Sequence, residues 1–156
     1  MAQEKTLVIL KPDTVNRGLV GAIIGRFEKK GLKIVAIKME QLREELLKEH
    51  YGHHEGRPFF AELIKFMSSI PSVLLVLEGH DAVAVVRKMC GATSGRSAEV
   101  GTIRGDYSMS IQVNTIHASE SAEDAAKEIK RFFAESEILG YKKMDFDWVY
   151  SFEEKK

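Results

Sequence analysis

The hydrophobic residues of this chain alternate between short continuous runs and helical stripes. Residues 6–11, "TLVILK", are a β-branched apolar run that Pro12 ends, which is typical of a strand buried on both faces. Apolar residues then recur at helical spacing from Val20 to Phe27, and Gly31 follows as a C-terminal stop. The first elements are therefore predicted to be a strand and a helix.

The same alternation continues through the middle of the chain. The pattern predicts a strand, two helices, a strand and a short helix at residues 32–39, 43–52, 57–67, 72–78 and 81–91. Gly56 and Pro58 separate the two helices. Asp81 is a candidate N-cap of the short helix, and Gly91 is its expected stop.

Residues 92–110 show no periodicity and contain three glycines. A loop this long in a compact domain is usually functional or disordered. Residues 111–117, "IQVNTIH", predict the fourth strand. The last helix follows with an apolar stripe over residues 122–133, and Ser121 with Asp124 forms a weak capping box at its start.

This order of elements predicts one domain, residues 1–156, of the α+β class. Four strands are expected to form an antiparallel sheet with covering helices on one face, as in a ferredoxin-like sandwich. A content of 44% hydrophobic residues is enough for a single core. Fold alone does not determine function.

Charge and composition exclude several function classes. Lys plus Arg and Asp plus Glu both number 23, so no overall field favours nucleic acid or an anionic membrane surface, and any anion site must be local. There is one cysteine, residues 1–10 have no apolar core as long as a signal peptide needs, and no apolar stretch approaches the ~20 residues of a membrane span. We therefore expect a cytoplasmic protein that requires neither a membrane nor a nucleic acid.

His117 is the residue whose neighbours suggest chemistry. It ends the fourth strand just before a helix N-terminus, which favours an anion such as a phosphoryl group. A neutral imidazole is a competent nucleophile if its other nitrogen keeps a proton, and Glu128 could orient it through Ser119. A histidine at the end of an apolar run is more often structural, and Glu128 is more often a solvated carboxylate, so these alternatives stay open.

Phosphoryl transfer depends mainly on positioning and charge stabilisation. Several cationic or hydroxyl residues lie at element ends or in the irregular region, where side chains can converge, although each alone is more often a surface residue. They are Lys11, Arg87, Thr93 and Arg104.

Five stretches of the chain resemble the nucleoside diphosphate kinases in order and spacing. They are "LKPDTVNRGLVGAIIGRFEKKG", "EHYGHHEGRPFF", "GATSG", "GTIRGDY" and "NTIHASES", and the resemblance runs from about Lys5 to Tyr150. It implies a ping-pong reaction: His117 takes the γ-phosphate of a nucleoside triphosphate, usually ATP, as a phosphohistidine and gives it to a nucleoside diphosphate. Such an enzyme maintains nucleoside triphosphate pools.

The resemblance also implies roles for the other residues of the site. Glu128 and Ser119 would orient the histidine. Phe59 would stack on the base with Leu63 beside it, and an aromatic face accepts any base, which implies broad base tolerance. The phosphate and ribose contacts would be Lys11, Tyr51, Arg87, Thr93, Arg104 and Asn114.

The implied cofactor is Mg²⁺, held mainly by nucleotide phosphates and water, with no protein side chain assigned as a metal ligand. The implied assembly is a homo-oligomer. A hexamer is the commonest form among nucleoside diphosphate kinases, and some bacterial members are tetramers.

The chain departs from the family pattern in two places. Ala118 and Glu120 replace the usual Gly and Asp beside the nucleophile, a change that is tolerable if Ala118 has a negative φ. Ser94, Gly95 and Val100 stand where the loop usually has Asn-Pro and a later Pro. That loop normally packs at subunit contacts, so losing two prolines is expected to weaken its pre-organised shape.

Other interpretations have less support. His50, His53 and His54 are expected to be solvated imidazoles at a helix end rather than a metal site, and the "RGD" at residues 104–106 to be a turn that positions Arg104. An RNA-binding module needs exposed aromatics on its central strands, which residues 6–11 and 72–78 lack. A catalytically silent relative would be expected to have lost at least one matched residue, and none is lost.

Overall fold

The computed structural model describes residues 3–155, in which four strands form one antiparallel sheet. The strands are β1 Gln3–Leu10, β2 Lys33–Glu40, β3 Ser72–His80 and β4 Ile116–Ala118. Their order is β2-β3-β1-β4, with β1 and β3 in the centre. The predicted four-stranded antiparallel sheet of a ferredoxin-like α+β fold is confirmed.

Helices cover both faces of this sheet. They are α1 Pro12–Asn16, α2 Val20–Lys30, α3 Glu44–His50, α4 Phe60–Met67, α5 Ala82–Cys90, α6 Ile103–Tyr107, α7 Ala122–Phe132 and α8 Phe146–Val149. Short 3₁₀ turns occupy Gly52–His54 and Glu135–Glu137. Within residues 3–155, no helix combines the length and apolarity that crossing a bilayer requires.

Alternate residues of the central strands are buried on opposite faces of the sheet. Leu7 and Ile9 lie in a core with α3, α4 and α7, whereas Val8 and Leu10 lie in a second core with α2 and α5. Successive side chains of a strand point to opposite faces, so a strand that is apolar at every position needs cover on both sides. The prediction that β1 is buried on both faces is confirmed, and the expectation of helices on one face only is wrong.

The ends of the helices follow the sequence markers, with one exception. Gly31 ends α2 at φ +97°, and Gly91 ends α5 at φ +78°, backbone conformations that glycine adopts without strain. Ser121 caps α7, because its Oγ accepts the N–H of Asp124 at 3.0 Å. Asp81 occupies the N-cap position of α5, but its side chain makes no capping hydrogen bond.

The predicted fourth strand is mostly wrong. Only the end of residues 111–117 pairs with β1, through Ile116–Ala118, and Ile111 and Val113 are exposed. Thr115 has φ +69° and interrupts the extended chain. A left-handed backbone costs a non-glycine residue about 1–2 kcal/mol, which an apolar pattern cannot reveal.

Three short helices, α1, α6 and α8, were absent from the prediction. α1 begins directly after β1 with Pro12 in its first turn, where proline loses no hydrogen bond. α6 lies inside the region predicted to be a loop, and Thr102 caps it by accepting the N–H of Gly105. Each has only four or five residues, too few for a periodic pattern to show.

The two-sided core makes a stability prediction. Leu75 is fully buried in β3, so Leu75→Ala is expected to lower the free energy of unfolding by about 2–5 kcal/mol through lost burial and a residual cavity. Met144→Ala, at a residue 89% exposed, should change it by less than about 0.5 kcal/mol. Urea unfolding at one protein concentration measures both, and equal losses would contradict the described core.

Candidate active site

A cavity of about 630 Å³ opens beside β4, and residues 116–118 form part of its wall. The lining includes residues from widely separated parts of the sequence: Lys11, Tyr51, Phe59, Leu63, Arg87, Thr93, Arg104, Asn114, His117 and Glu128. Ser119 is fully buried behind them. The structure therefore brings the predicted site residues to one place.

The imidazole of His117 is held by a carboxylate from α7. Its Nε2 lies 3.1 Å from Oε1 of Glu128, and the other Glu128 oxygen accepts the hydroxyl of Ser119 at 2.5 Å. Burial disfavours the charged form of Glu128, but hydrogen bonds from His117 and Ser119 outweigh burial and leave its pKa below the ordinary value. Glu128 is therefore an ionised acceptor at neutral pH, which fixes the proton of neutral His117 on Nε2.

That arrangement leaves the second nitrogen of His117 with its lone pair. Among residues 3–155, no hydrogen-bond partner of Nδ1 is present. A neutral imidazole whose proton is fixed on one nitrogen can use the other as a nucleophile.

His50 is a member of the site that the sequence analysis missed. It was expected to be solvated, but it is buried, and its ring lies edge-on to that of His117 with centroids 4.6 Å apart. Burial and the neighbouring positive groups lower the pKa of His50 to about 2, so its ring is neutral. Leu47 and His50, three residues apart, share the buried face of α3, a spacing that could have indicated this burial.

The three clustered histidines do not converge on a metal. His53 and His54 pack together with ring centroids 4.0 Å apart, whereas His50 lies with His117 and Glu128. Those last three could approach one ion, but Glu128 and His117 are already hydrogen-bonded, and Nη1 of Arg131 lies 3.4 Å from Nδ1 of His50. The guanidinium of Arg131 therefore opposes the binding of a metal cation there.

Lys11 follows β1 and points its ammonium into the cavity wall. Nζ donates to Oδ1 of Asn114 at 2.6 Å and to the carbonyl of Gln112 at 3.3 Å. Burial and the charge of Arg104 lower its pKa to about 8, although Asp13 opposes the shift. A buried ammonium without a full counter-charge is a strong attractor for an anion.

Arg104 is built into the frame of the cavity. Its guanidinium donates to the carbonyls of Asn114, Gly91 and Ile116 at 3.3, 2.9 and 2.7 Å. A guanidinium has five N–H donors, so others stay available to a ligand. Because Arg104 is buried, the "RGD" tripeptide is not displayed for recognition by another protein.

The amide of Asn114 connects two walls of the cavity. Its Oδ1 accepts from Lys11, and its Nδ2 donates to the carbonyl of Thr93 at 2.8 Å. Tyr51 is buried nearby with its hydroxyl unpaired among the described residues, and burial raises the pKa of this phenol. The neutral Tyr51 hydroxyl is therefore a free donor.

The mouth of the cavity combines one ion pair with apolar side chains. Arg87 lies 3.7 Å from the exposed Glu120. Phe59 is 42% exposed and Leu63 is buried behind the opening. Ile111, which the sequence analysis assigned to a strand, also lines the cavity and is a second exposed apolar residue there.

The departures from the family pattern are accommodated. Ala118 lies in β4 and is absent from the residues with positive φ, as its tolerance required. Gly95 donates its N–H to the carbonyl of Ser110 at 2.9 Å, and a Cβ there would lie 2.3 Å from the carbonyl oxygen of Ser108. Proline could not occupy this position, so a hydrogen bond closes the loop instead.

Comparisons with known proteins agree along nearly the whole chain. Residues 4–138 match the family model described as nucleoside diphosphate kinase. The nucleoside diphosphate kinase of Methanothermobacter thermautotrophicus is 50% identical over 147 residues, which are 94% of this chain and 98% of that protein. The one from Staphylothermus marinus is 53% identical over 141 residues, 90% of this chain and 100% of that protein.

Solved structures give the same result. The Halobacterium salinarum nucleoside diphosphate kinase in complex with CDP has a TM-score of 0.94 at 43% identity, over 96% of this chain and 100% of that one. A transition-state mimic of the Borrelia burgdorferi enzyme with bound vanadate and ADP has a TM-score of 0.86 at 44% identity, over 92% and 94% of the two chains.

The environment of Lys11 makes a titration prediction. Its ammonium should lose its proton near pH 8, whereas exposed Lys127, whose pKa is raised by its hydrogen bond to Glu123, should stay charged. Nitrogen-15 NMR of the lysine side chains measures both, with the Lys11 resonance assigned by its loss in Lys11→Arg. A midpoint near 10, the ordinary value, would contradict the described burial.

Proposed function

The chain belongs to the nucleoside diphosphate kinase family, and we propose that it transfers the γ-phosphate of a nucleoside triphosphate, typically ATP, to a nucleoside diphosphate through a phosphohistidine at His117. The observation that carries this proposal is the 3.1 Å contact of His117 Nε2 with Glu128, in a cavity lined by basic residues. Relatives that are 49–52% identical to this chain are nucleoside diphosphate kinases, which are phosphotransferases.

The first half of the reaction forms one bond and breaks one. Nδ1 of His117 attacks the γ-phosphorus, an N–P bond forms, and the bond from that phosphorus to the β–γ bridging oxygen breaks, which releases the diphosphate. The Nε2 proton stays in place, and ionised Glu128 stabilises the positive charge that the ring acquires. A terminal phosphate oxygen of the second nucleotide, a nucleoside diphosphate, then attacks that phosphorus: an O–P bond forms, the N–P bond breaks, and a nucleoside triphosphate and neutral His117 are released.

Binding of the phosphates would rest on the cationic and hydroxyl groups of the cavity. Lys11 and Arg104 are buried, so their attraction for an anion is weakly screened, and Arg87 lies at the mouth. Thr93, Asn114 and Tyr51 offer hydrogen bonds to phosphate or ribose oxygens. This cluster gives a chain of zero net charge the local anion site that it needs.

Broad base tolerance follows from the apolar mouth. Phe59 presents an exposed ring, Leu63 supports it, and Ile111 offers a second apolar surface. These surfaces carry no donor or acceptor that distinguishes one base from another. Structures of relatives contain CDP in one case and ADP in another, which supports tolerance of both base classes.

Mg²⁺ is proposed to enter with the nucleotide. The carboxylates that line the cavity already have partners: Glu128 has His117, Glu120 has Arg87, Glu49 has Arg131 and Asp124 has Ser121. The basic cavity therefore fits an ion held by phosphates and water and does not offer a cage of protein oxygens. When bound, the ion would neutralise phosphate charge.

A homo-oligomer is also part of the proposal, with a second copy of the chain against the outer edge of β2. Ile37 and Met39 there are 54% and 59% exposed, and an exposed apolar edge strand favours pairing. The first half of β2 is covered instead, because the carbonyl of Val35 accepts the N–H of Leu139 at 2.8 Å. A hexamer is expected from the family, with a tetramer as the alternative.

The proposed location is the cytoplasm, where the enzyme would reach nucleoside diphosphates and triphosphates and maintain the supply of the triphosphates.

An RNA-binding function is disfavoured, because helices cover both faces of β1 and β3 and leave no open sheet platform. The effect of Ser94, Gly95 and Val100 on subunit contacts stays a prediction.

The phosphohistidine relay predicts that His117 retains label from γ-labelled ATP and Mg²⁺ without an acceptor. The label should be acid-labile and alkali-stable, should be lost in His117→Ala, and should pass to added nucleoside diphosphates. Chelation of Mg²⁺ should prevent it. His80→Ala, a histidine outside the cavity, serves as the matched control and should keep the label. An unlabelled wild-type protein would overturn the proposed activity.

The β2 contact predicts a change in assembly. Replacing Ile37 and Met39 together by lysine should place charges at the contact and lower the molar mass measured by analytical ultracentrifugation. Met144→Lys, at an exposed residue away from β2, should leave the mass unchanged. A double variant with the mass of the wild type would contradict the contact.

A further inference from the structure

A strained turn lies two residues before His117. Thr115 is fully buried with φ +69°, and the N–H of Ile116 donates to the carbonyl of Asn114 at 2.8 Å. A positive φ together with a hydrogen bond that spans two residues is the pattern of a classic γ-turn, which is rare and strained. We call residues 114–116 the Thr115 turn.

Three hydrogen bonds from the start of α1 hold this turn. The carboxylate of Asp13 accepts the N–H of Thr115 at 3.0 Å, and the hydroxyl of Thr14 donates to its carbonyl at 2.6 Å. The N–H of Lys11 donates to the same carbonyl at 2.8 Å. Both peptide groups of Thr115 are therefore fixed by residues about a hundred positions away in sequence.

The turn determines where two site residues point. On one side, Asn114 directs its amide to Lys11 and Thr93. On the other side, the chain enters β4, where His117 pairs with Ile9 of β1. Residues 11–14 thus supply Lys11 to the cavity and also fix the backbone that carries Asn114 and His117.

The carboxylate of Asp13 places a negative charge near Lys11 and Arg17, but its hydrogen bond to another residue goes to the N–H of Thr115. It is buried, and Oδ1 has no hydrogen-bond partner among residues 3–155. Burying a carboxylate with one oxygen unpaired is costly. Since strained backbone persists only when its surroundings over-determine it, the bond of Asp13 to Thr115 explains why the strained turn stays in place.

We propose that Asp13 is a positioning residue for phosphoryl transfer: it holds the Thr115 turn so that Asn114 and His117 keep the geometry that transfer requires. This inference rests on the proposed phosphohistidine relay. Asp13 acts through the turn, and Thr14 assists it from the same helix.

The test measures the rate of His117 phosphorylation in a single turnover at saturating Mg²⁺ and ATP, because that rate reports transfer and not affinity. Asp13→Ala should lower the rate ~10- to 100-fold, as expected for a misplaced nucleophile. Asp13→Asn, which keeps a carbonyl acceptor for the N–H of Thr115, should recover most of the loss. Glu137→Ala, which also removes an acceptor of a backbone N–H but lies outside the cavity, should leave the rate unchanged.

The decisive comparison uses Thr115→Gly as a second background. Glycine adopts a positive φ without strain, so the turn should depend less on Asp13. Asp13→Ala should therefore cost at least ~5-fold less in this background than in the wild type, a coupling that the double-mutant cycle isolates. Melting temperatures confirm that each variant is folded at the assay temperature.

Each outcome decides the inference. An equal cost of Asp13→Ala in both backgrounds, or a wild-type rate in Asp13→Ala, would assign Asp13 a merely structural role and overturn it. Absence of label on the wild type would overturn the proposed relay itself. If Asp13→Ala does not fold, Thr14→Val replaces it in the same cycle, with the same coupling expected and the same equality contradicting it.

Discussion

The carboxylate of Glu128 makes the two hydrogen bonds on which the site depends. One oxygen accepts from Ser119, whose Oγ in turn accepts the N–H of Leu7 in β1, and the other accepts from His117. A buried carboxylate is costly without such partners, so α7 is constrained to pack in this register. The Ser121 cap and the buried stripe of α7 support the same position. The protonation pattern of His117 follows from this packing.

The second constraint is positive charge held close to that histidine. Lys11 and Arg104 are buried against carbonyl and amide oxygens, and burial lowers the pKa of both. Part of the free energy of folding is therefore spent on holding cations where a phosphate is proposed to bind. A bound nucleotide would supply the missing negative charge, so ligand binding and stability are expected to be linked.

Sequence patterns predicted the elements in which a continuous apolar run or a helical apolar stripe extends over several residues. The strands β1 and β3 and the helix α7 are examples. Residues 111–115 were predicted wrongly because the Thr115 turn depends on Asp13 and Thr14, about a hundred residues away. The burial of His50 was missed because solvation is the usual state of an isolated histidine. The resemblance indicated that Glu128 and His117 act together, but which of their atoms meet was visible only in the structure, where α7 packs on β1.

The central claim is that Glu128 occupies Nε2 of His117 and leaves Nδ1 as the nucleophile. The measurement that tests it most directly is the identity of the phosphohistidine isomer, obtained by alkaline digestion of the phosphorylated protein and comparison with standards phosphorylated on each nitrogen. The account predicts the isomer phosphorylated on Nδ1. Phosphate on Nε2 would contradict it, because that nitrogen would then have to leave Glu128 before it could attack.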